Sequence, residues 1–259
     1  MNLWTALAVE GIAISLIFAI AWGLARIWKN YSLVDAVWAF GIGLTGIFWL
    51  MAGGAAAKQL TAAALVGIWS FRLGSHLTRR IRKAHPDEDS RYSELREKWG
   101  AGAFFVFFQV QAVSVILLAL PFLLIAFDPD TNWSLWETCG TVIILTGIAG
   151  EALADRQMNR FKQTNSDPKA VCNEGLWHYS RHPNYFFEAV IWVGFLTYAC
   201  GSEWGWATVH APAIIVFLLL KVTGIPPTEA GAVKRKGDAY RHYQRTTSAF
   251  IPWPPKRGS

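Results

Sequence analysis

Hydrophobic residues along the chain are grouped in seven long runs, which polar and mostly basic connections separate. Most runs have the roughly 20 residues that a helix needs to cross the hydrocarbon core of a membrane. The pattern therefore predicts seven transmembrane helices, at residues 3–27, 34–53, 59–77, 103–127, 134–157, 185–201 and 207–224. The third run contains Arg72 and the sixth is short. The first run is too long, and too poor in basic residues at its start, for a cleaved signal peptide.

Basic residues follow every second run. All but two of the 24 Lys and Arg residues lie at or beyond the ends of runs one, three, five and seven, the exceptions being Lys58 and Arg72. Because cytoplasmic loops carry the excess of basic residues, this alternation places the N-terminus outside and the C-terminus in the cytosol. We interpret the chain as an all-α polytopic membrane protein, with residues 1–259 forming one membrane domain.

Composition narrows the class of protein further. The chain is 53% hydrophobic and 16% charged, which excludes a disordered chain and disfavours a soluble enzyme. The net charge of +6 lies in loops between apolar runs, so we expect no nucleic-acid partner. Cys139, Cys172 and Cys200 have no metal-ligand spacing, which argues against a zinc site or a disulfide framework.

The segment after the last run is polar. Residues 229–243 are predicted to form one short amphipathic helix in the cytosol. The Pro-rich end, residues 251–255, is predicted to be either an ordered strap or an interfacial membrane anchor.

Polar residues lie near the cytosolic ends of four runs. Residues four apart on a helix share a face, and two runs repeat this spacing. The polar positions are Asp35 in run two, Arg72 and His76 in run three, Glu151, Asp155 and Asn159 in run five, and Asn184, Glu188 and Trp192 in run six. A single such residue, like Glu10, can be explained by packing or snorkelling. Four coincident stripes instead predict a shared polar cavity that opens to the cytosol.

Arginine and lysine at the rim of this cavity indicate an anionic ligand, because guanidinium groups bind phosphate. The basic candidates are Arg72, Arg79, Arg80, Arg160, Lys162 and Arg181. Arg79 and Arg80 are equally explained as ordinary cytosolic charges. Carboxylates and amides accept hydrogen bonds from ribose hydroxyls or a carboxamide, so the mixed set suits a nucleotide.

Two stretches carry a resemblance to a known family. They are GLWHYSRHPNYFFE at residues 175–188 and YRHYQRTTSAFIP at residues 240–252, supported by Asp155, Lys162 and residues 32–38. With them the chain resembles the steroid 5α-reductase family, and most of all its bacterial branch, long known as a domain of unknown function. The resemblance covers most of the chain and is strongest from about residue 145 onward. The Arg-His-Pro-Asn-Tyr core also occurs in isoprenylcysteine carboxyl methyltransferases.

The resemblance implies a seven-helix reductase of a bacterial inner (cytoplasmic) membrane that uses NADPH, with its active site facing the cytosol. The positions matching the family's cofactor contacts are Arg72, Glu151, Asp155, Lys162, Arg181, His182, Asn184, Tyr185 and Glu188. Glu151 replaces a family Asn, and Phe187 stands where bacterial relatives commonly have Gly. Residues 1–127 would then form the lipophilic-substrate side, and residues 128–259 the NADPH side.

The implied reaction is reduction of the carbon–carbon double bond of a 3-oxo-Δ4 steroid or a similar lipophilic enone from the bilayer. A family acid pair polarises the carbonyl, and its nearest candidates here are Asp35 and Trp69, of which only Asp35 can be an acid. Asp35 is therefore the predicted catalytic residue, although Ser32 and Asp35 also suit a helix N-cap. Trp38 and Trp69 are the expected substrate contacts. Other possible donors are His76, Tyr179 and Tyr185.

Two other functions remain open on the sequence. The first is a membrane methyltransferase that uses S-adenosylmethionine and would share Arg181, His182 and Glu229. The second is a receptor or transporter, for which polar residues at the midplane and internal repeats are typical. We expect a monomer whose only other partners are membrane lipids.

Overall fold

The computed structural model describes residues 2–256, so Met1 and residues 257–259, the end of the predicted NADPH side, lie outside the described part. Within it the chain is helical, and the only strand-like feature is one isolated parallel bridge between Ser180 and Ser248. The helices are α1 (Leu3–Trp28), α2 (Leu33–Gly53), α3 (Ala57–Ala84), α4 (Ser90–Lys98), α5 (Ala101–Ala126), α6 (Leu135–Thr164), α7 (Leu176–Tyr179), α8 (Pro183–Ala199), α9 (His210–Phe217), α10 (Ile225–Lys236) and α11 (Asp238–Thr246). A 3₁₀ turn, Gly205–Val209, precedes α9, and a π turn, Leu218–Val222, follows it.

All seven predicted runs are helical. Within the described residues, five helical segments are long and apolar enough to cross a membrane: Leu3–Trp28, Leu33–Gly53, Gly102–Ala126, Leu135–Thr164 and Gly205–Lys236. The chain is thus an all-α integral membrane protein. The other two runs lie in α3, which contains Arg72 and ends in a basic segment, and in α8, which has 17 residues. That α3 and α8 also cross the membrane stays a prediction, as does the orientation.

The chain divides into two compact units. Unit one comprises the chain up to Glu137 together with Ala199–Ala211, and unit two comprises Thr138–Tyr198 and the chain from Pro212 onward. In unit one, α2 packs against α1, α3 and α5. Small residues allow the closest approach, since a Cβ on Gly43 would lie 2.1 Å from the Ser70 hydroxyl and one on Gly74 would lie 2.5 Å from the Phe40 ring.

A buried ion pair lies where α3 begins and α5 ends. Lys58 Nζ contacts Asp128 Oδ2 at 2.6 Å, and both side chains are almost completely shielded from solvent. Burial opposes ionisation of Asp128, but hydrogen bonds from Lys58 and the Asp130 backbone hold the pKa of this carboxyl below its usual range. A charge pair buried in this way is costly to break, because the remaining partner would stay desolvated and unpaired.

Exposed tryptophans of unit one occur at both ends of its helices. Trp4 begins α1, and three further exposed tryptophans lie near the start of α6 or around the 3₁₀ turn, namely Trp136, Trp204 and Trp206. Trp28 ends α1, and Trp99 immediately follows α4. Tryptophan is enriched at both membrane–water interfaces, so this arrangement is what a unit spanning a bilayer would show.

The C-terminal tail forms two helices instead of the single one predicted for residues 229–243. The break is at Gly237, whose φ of 58° is a left-handed conformation that glycine adopts without a side-chain penalty. Tyr240 and Tyr243 of α11 are buried together with Ala232 of α10. The pair of helices α10 and α11 therefore has a small apolar core of its own.

Candidate functional site

Helices α6 and α8 of unit two run antiparallel with their backbones close together. A Cβ on Gly140 would lie 2.6 Å from the Tyr198 backbone nitrogen, and one on Gly147 would lie 2.5 Å from Ile191 Cγ1. A Cβ on Gly150 would likewise meet the Phe187 ring at 2.3 Å. Larger residues would push the helices apart. We call these close contacts the glycine seam.

The glycine seam fixes which polar residues lie at the same level of the two helices. Gly150 is level with Phe187, so Glu151 of α6 lies at the height of Glu188 of α8. One turn further along α6, Asp155 lies at the height of Asn184. Glu151 and Glu188 are buried, and Asp155 and Asn184 are half-buried. The structure thus brings the two predicted polar stripes to the same level of unit two, while their function as cofactor contacts stays a prediction.

Asn184 has an unused hydrogen-bonding group. Its Oδ1 atom is buried and has no hydrogen-bond partner among the described residues. A buried polar atom without a partner costs about 1–3 kcal/mol, so it marks a position where a ligand or water would be favourable. Glu188, one turn later on α8, accepts a hydrogen bond of 2.9 Å from Trp192 Nε1.

Arg181 is engaged by the protein itself. Its Nε donates to Glu229 Oε1 at 2.6 Å, and its Nη1 donates to the carbonyl oxygens of Gln244 and Thr247 at the end of α11. The two charged side chains are 10% and 14% exposed. Arg181 therefore ties α10 and the C-terminal end of α11 to the turn before α8, and its predicted contact with a cofactor remains untested.

The residues around Arg181 form one cluster. His182 Nε2 lies 3.3 Å from Glu229 Oε1, and Gln244 Nε2 donates to Glu229 Oε2 at 2.7 Å. The rings of His182 and Tyr185 are stacked, with centroids 5.2 Å apart. Burial, assisted by the negative charge of Glu229, raises the pKa of Tyr240 to about 12. Glu229 is thus the common partner of three side chains, whereas Lys162 on α6 is exposed.

In unit one, Asp35 lies in the first turn of α2 and contacts α4. Tyr92 donates its hydroxyl to Asp35 Oδ1 at 2.5 Å, and Arg91 Nη2 donates to Asp35 Oδ2 at 2.8 Å. Arg80 lies further away, 3.8 Å from Asp35 Oδ2. Ser32, the residue before α2, makes no side-chain capping bond to the helix, and its hydroxyl instead accepts from the Asp89 backbone.

Tyr92 is the residue of this group that the sequence did not reveal. It is 5% exposed, and burial together with the negative charge of Asp35 raises its pKa well above the usual value of a phenol. The hydroxyl therefore stays protonated and can donate. Burial alone would lower the pKa of the Arg91 guanidinium. The contacts with Asp89 and Asp35 have the larger effect, so this pKa is raised. No sequence signal connects Tyr92 to Asp35, which is 57 residues away.

The other predicted residues of unit one lie deeper in the helices. Close contacts put Gly43 of α2 level with Ser70 of α3, and Phe40 with Gly74. The start of α2 and the end of α3 lie together beside α4. Measured from there, Arg72 lies about six residues, or ~9 Å along the helix axis, deeper than Asp35. Trp69 is fully buried, and Trp38 is half-buried and donates to the Ser114 hydroxyl at 2.9 Å.

Among the described residues, no three His, Cys, Asp or Glu side chains are grouped as metal ligands. The polar groups of unit two are hydrogen-bonding groups suited to an organic ligand.

Comparison with known proteins gives two relatives of interest. The chain is 24% identical to "Uncharacterized protein C594.04c" of Schizosaccharomyces pombe, over 94% of this chain and 79% of that protein. It is 27% identical to "Steroid 5-alpha-reductase DET2" of Arabidopsis thaliana, over 48% of this chain and 44% of that protein. No solved structure matches significantly.

A family model fits nearly the whole chain. The model described as "Protein of unknown function (DUF1295)" matches residues 21–247, which include α2 to α10, the glycine seam and every predicted site residue. The chain therefore belongs to the DUF1295 family.

Proposed function

We propose that this protein is an NADPH-dependent membrane reductase that reduces the conjugated carbon–carbon double bond of a lipophilic enone, such as a 3-oxo-Δ4 steroid. The partial similarity to a steroid 5-alpha-reductase supports a reductase. The motif at residues 175–188, within the matched family region, supports the same class. In finer detail, we propose that the protein crosses an inner membrane seven times, that its active site faces the cytosol and that it is a monomer.

The observation that carries the proposal is the pair of polar stripes beside the glycine seam. The buried, unpaired Asn184 Oδ1 offers an acceptor to a ribose hydroxyl or a carboxamide N–H. Asp155 lies level with it and can accept further hydroxyl hydrogen bonds. Lys162, two turns along α6, is exposed and free to approach a phosphate. These groups fit a phosphorylated dinucleotide in hydrogen-bonding chemistry and in sign of charge.

The proposed chemistry needs an acid for the substrate carbonyl. When bound, NADPH would supply a hydride to the β-carbon of the enone, the carbonyl oxygen would gain negative charge, and a proton from water would complete the reduction at the α-carbon. We assign the donor to the pair Asp35–Tyr92. The Tyr92 hydroxyl is kept protonated by its raised pKa, and its single proton would turn from Asp35 to the substrate oxygen, where a donor aimed at the developing charge lowers the barrier. Arg91 holds Asp35 in place and adds positive charge to the same group.

A binding assay separates this proposal from the methyltransferase. The protein in mild detergent should gain thermal stability with NADPH, by the equivalent of about 2.7 kcal/mol at 100-fold excess over Kd, and gain none with S-adenosylmethionine. Asn184→Ala should abolish the NADPH effect, whereas Asn132→Ala, an exposed position in the segment between α5 and α6, should keep it. The reverse ligand preference would reject the reductase.

Turnover is the second test. NADPH oxidation on addition of a 3-oxo-Δ4 steroid, with a saturated ketone as product, is the expected result. Arg72→Ala should weaken NADPH binding more than NADH binding if Arg72 contacts the 2′-phosphate. An equal loss for the two cofactors would remove that role.

A further inference from the structure

The C-terminal segment at residues 248–256 is held in one position although it is not helical. We call it the strap. The Arg181 backbone N–H donates to Ser248 O at 2.8 Å, and the Trp253 N–H donates to Tyr179 O at 2.9 Å. The Ser180 hydroxyl donates to Phe250 O at 2.8 Å. The strap therefore runs alongside residues 179–181 as a fixed surface of unit two.

This fixed surface exposes large apolar side chains. Ile251 is 60% exposed and Trp253 is 69% exposed, and the neighbouring Tyr179 is 45% exposed. Holding side chains of this size fixed in contact with water is unfavourable, because their apolar surface stays hydrated. Tryptophan and tyrosine combine an apolar ring with a polar group, which suits the boundary between lipid headgroups and acyl chains.

The backbone of the strap is suited to the same environment. An unpaired N–H costs free energy where water is scarce, and proline has none. Three of the five residues from 251 to 255 are prolines, Pro252, Pro254 and Pro255. Between them the Trp253 N–H is already paired with Tyr179 O. The strap can therefore enter the headgroup region with almost no loss of backbone hydrogen bonds.

The charge around the strap is positive. Lys256 is exposed, and its N–H donates to Thr246 O at 2.9 Å, which places it beside the end of α11. Arg245, in the last turn of α11, is also exposed. Each basic residue at an anionic membrane surface contributes roughly 1 kcal/mol.

From the fixed backbone, the exposed rings, the prolines and the flanking basic residues, we infer that the strap is an interfacial anchor. It lies in the headgroup region of an anionic leaflet of the same membrane that holds the spans. Trp253 and Ile251 reach the acyl boundary, and Lys256 and Arg245 contact lipid phosphates. The anchor fixes α10, α11 and the turn before α8 to the membrane surface. This inference does not depend on which reaction the protein catalyses.

Spin labels measure the depth of the strap directly. The three native cysteines are replaced by alanine, and a nitroxide is attached at Trp253→Cys or Ile251→Cys in the full chain, reconstituted in nanodiscs of phosphatidylglycerol. Ala239→Cys, an exposed position on α11, is the matched control. At 251 and 253 we expect several-fold more relaxation by oxygen than by a water-soluble nickel chelate. The control should show the opposite preference.

Two outcomes overturn the inference. Labels at both 251 and 253 that prefer the nickel chelate, as the control does, would place the strap in water. If the labels at 251 and 253 kept the same preference for oxygen in phosphatidylcholine nanodiscs and in high salt, anionic lipid would not be required. Two label positions keep the test valid if one variant fails to fold.

Discussion

Removing the guanidinium of Arg181 should destabilise unit two strongly, and the size of the effect can be estimated. In Arg181→Met, Glu229 would lose its 2.6 Å ion pair while remaining only 14% exposed. The carbonyl oxygens of Gln244 and Thr247 would lose their donor as well. Breaking a buried pair by removing one partner typically costs 3–5 kcal/mol, mostly because the other charge stays buried and unpaired. We expect a loss of about that size.

A double-mutant cycle tests this reasoning. Glu229→Leu and the double variant Arg181→Met/Glu229→Leu are unfolded alongside the single variant and the wild type in mixed micelles, with helicity as the signal. The double variant has no unpaired charge, so its loss should be much smaller than the sum of the single losses. Arg245→Met, which removes an exposed guanidinium from α11, is the control and should change little.

The cycle also separates an internal clamp from a phosphate contact. Additive losses in the cycle would refute the coupling between Arg181 and Glu229. If Arg181→Met were as stable as the wild type and only lost affinity for NADPH, the guanidinium would be a cofactor contact and the reasoning from its hydrogen bonds would be wrong.

Three other variants have defined outcomes. Asp35→Asn and Tyr92→Phe should each lower turnover with little change in NADPH affinity, and unchanged turnover in both variants would exclude the pair. Wild-type turnover should not decline as pH rises toward the usual phenol pKa of about 10, because burial keeps the Tyr92 hydroxyl protonated. Gly147→Leu should cost about 1–3 kcal/mol by overpacking, whereas Gly11→Leu, with open space around it, should not, and equal thermal stabilities would argue against the glycine seam. Lys58→Met should cost about 3–5 kcal/mol, and a loss no larger than that of Gly11→Leu would show that the ion pair at the start of α3 contributes nothing.

The hydrophobic pattern predicted where the helices lie, because runs of apolar residues long enough for a bilayer have few alternatives to a helix. The predicted 3–27 and 34–53 differ from α1 and α2 by a single residue at one end each. Helix α3 continues beyond the predicted run 59–77 to Ala84, because its basic last turns lie outside the apolar pattern. Helix α4 is too polar to have been identified by the same pattern.

Contacts between distant parts of the chain could not be predicted from one sequence. The i, i+4 spacing predicted the stripes on α6 and α8 separately, but their common level depends on the glycine seam. The contact of Tyr92 with Asp35 depends on the fold of α4 back onto α2. The break at Gly237 did have a signal, since glycine commonly follows the end of a helix. The amphipathic pattern over residues 229–243 continues across Gly237, however, and it therefore predicted one unbroken helix.

The glycine seam has a consequence for how a ligand can reach the polar groups beside it. Two helices whose backbones already touch along several turns cannot slide or separate slightly to admit a molecule, since any opening would sacrifice the whole row of contacts at once. The spacing of Asp155 and Asn184 is consequently preset before anything binds. A ligand that binds there, as proposed, would therefore meet polar groups whose separation is already fixed by the backbone contacts.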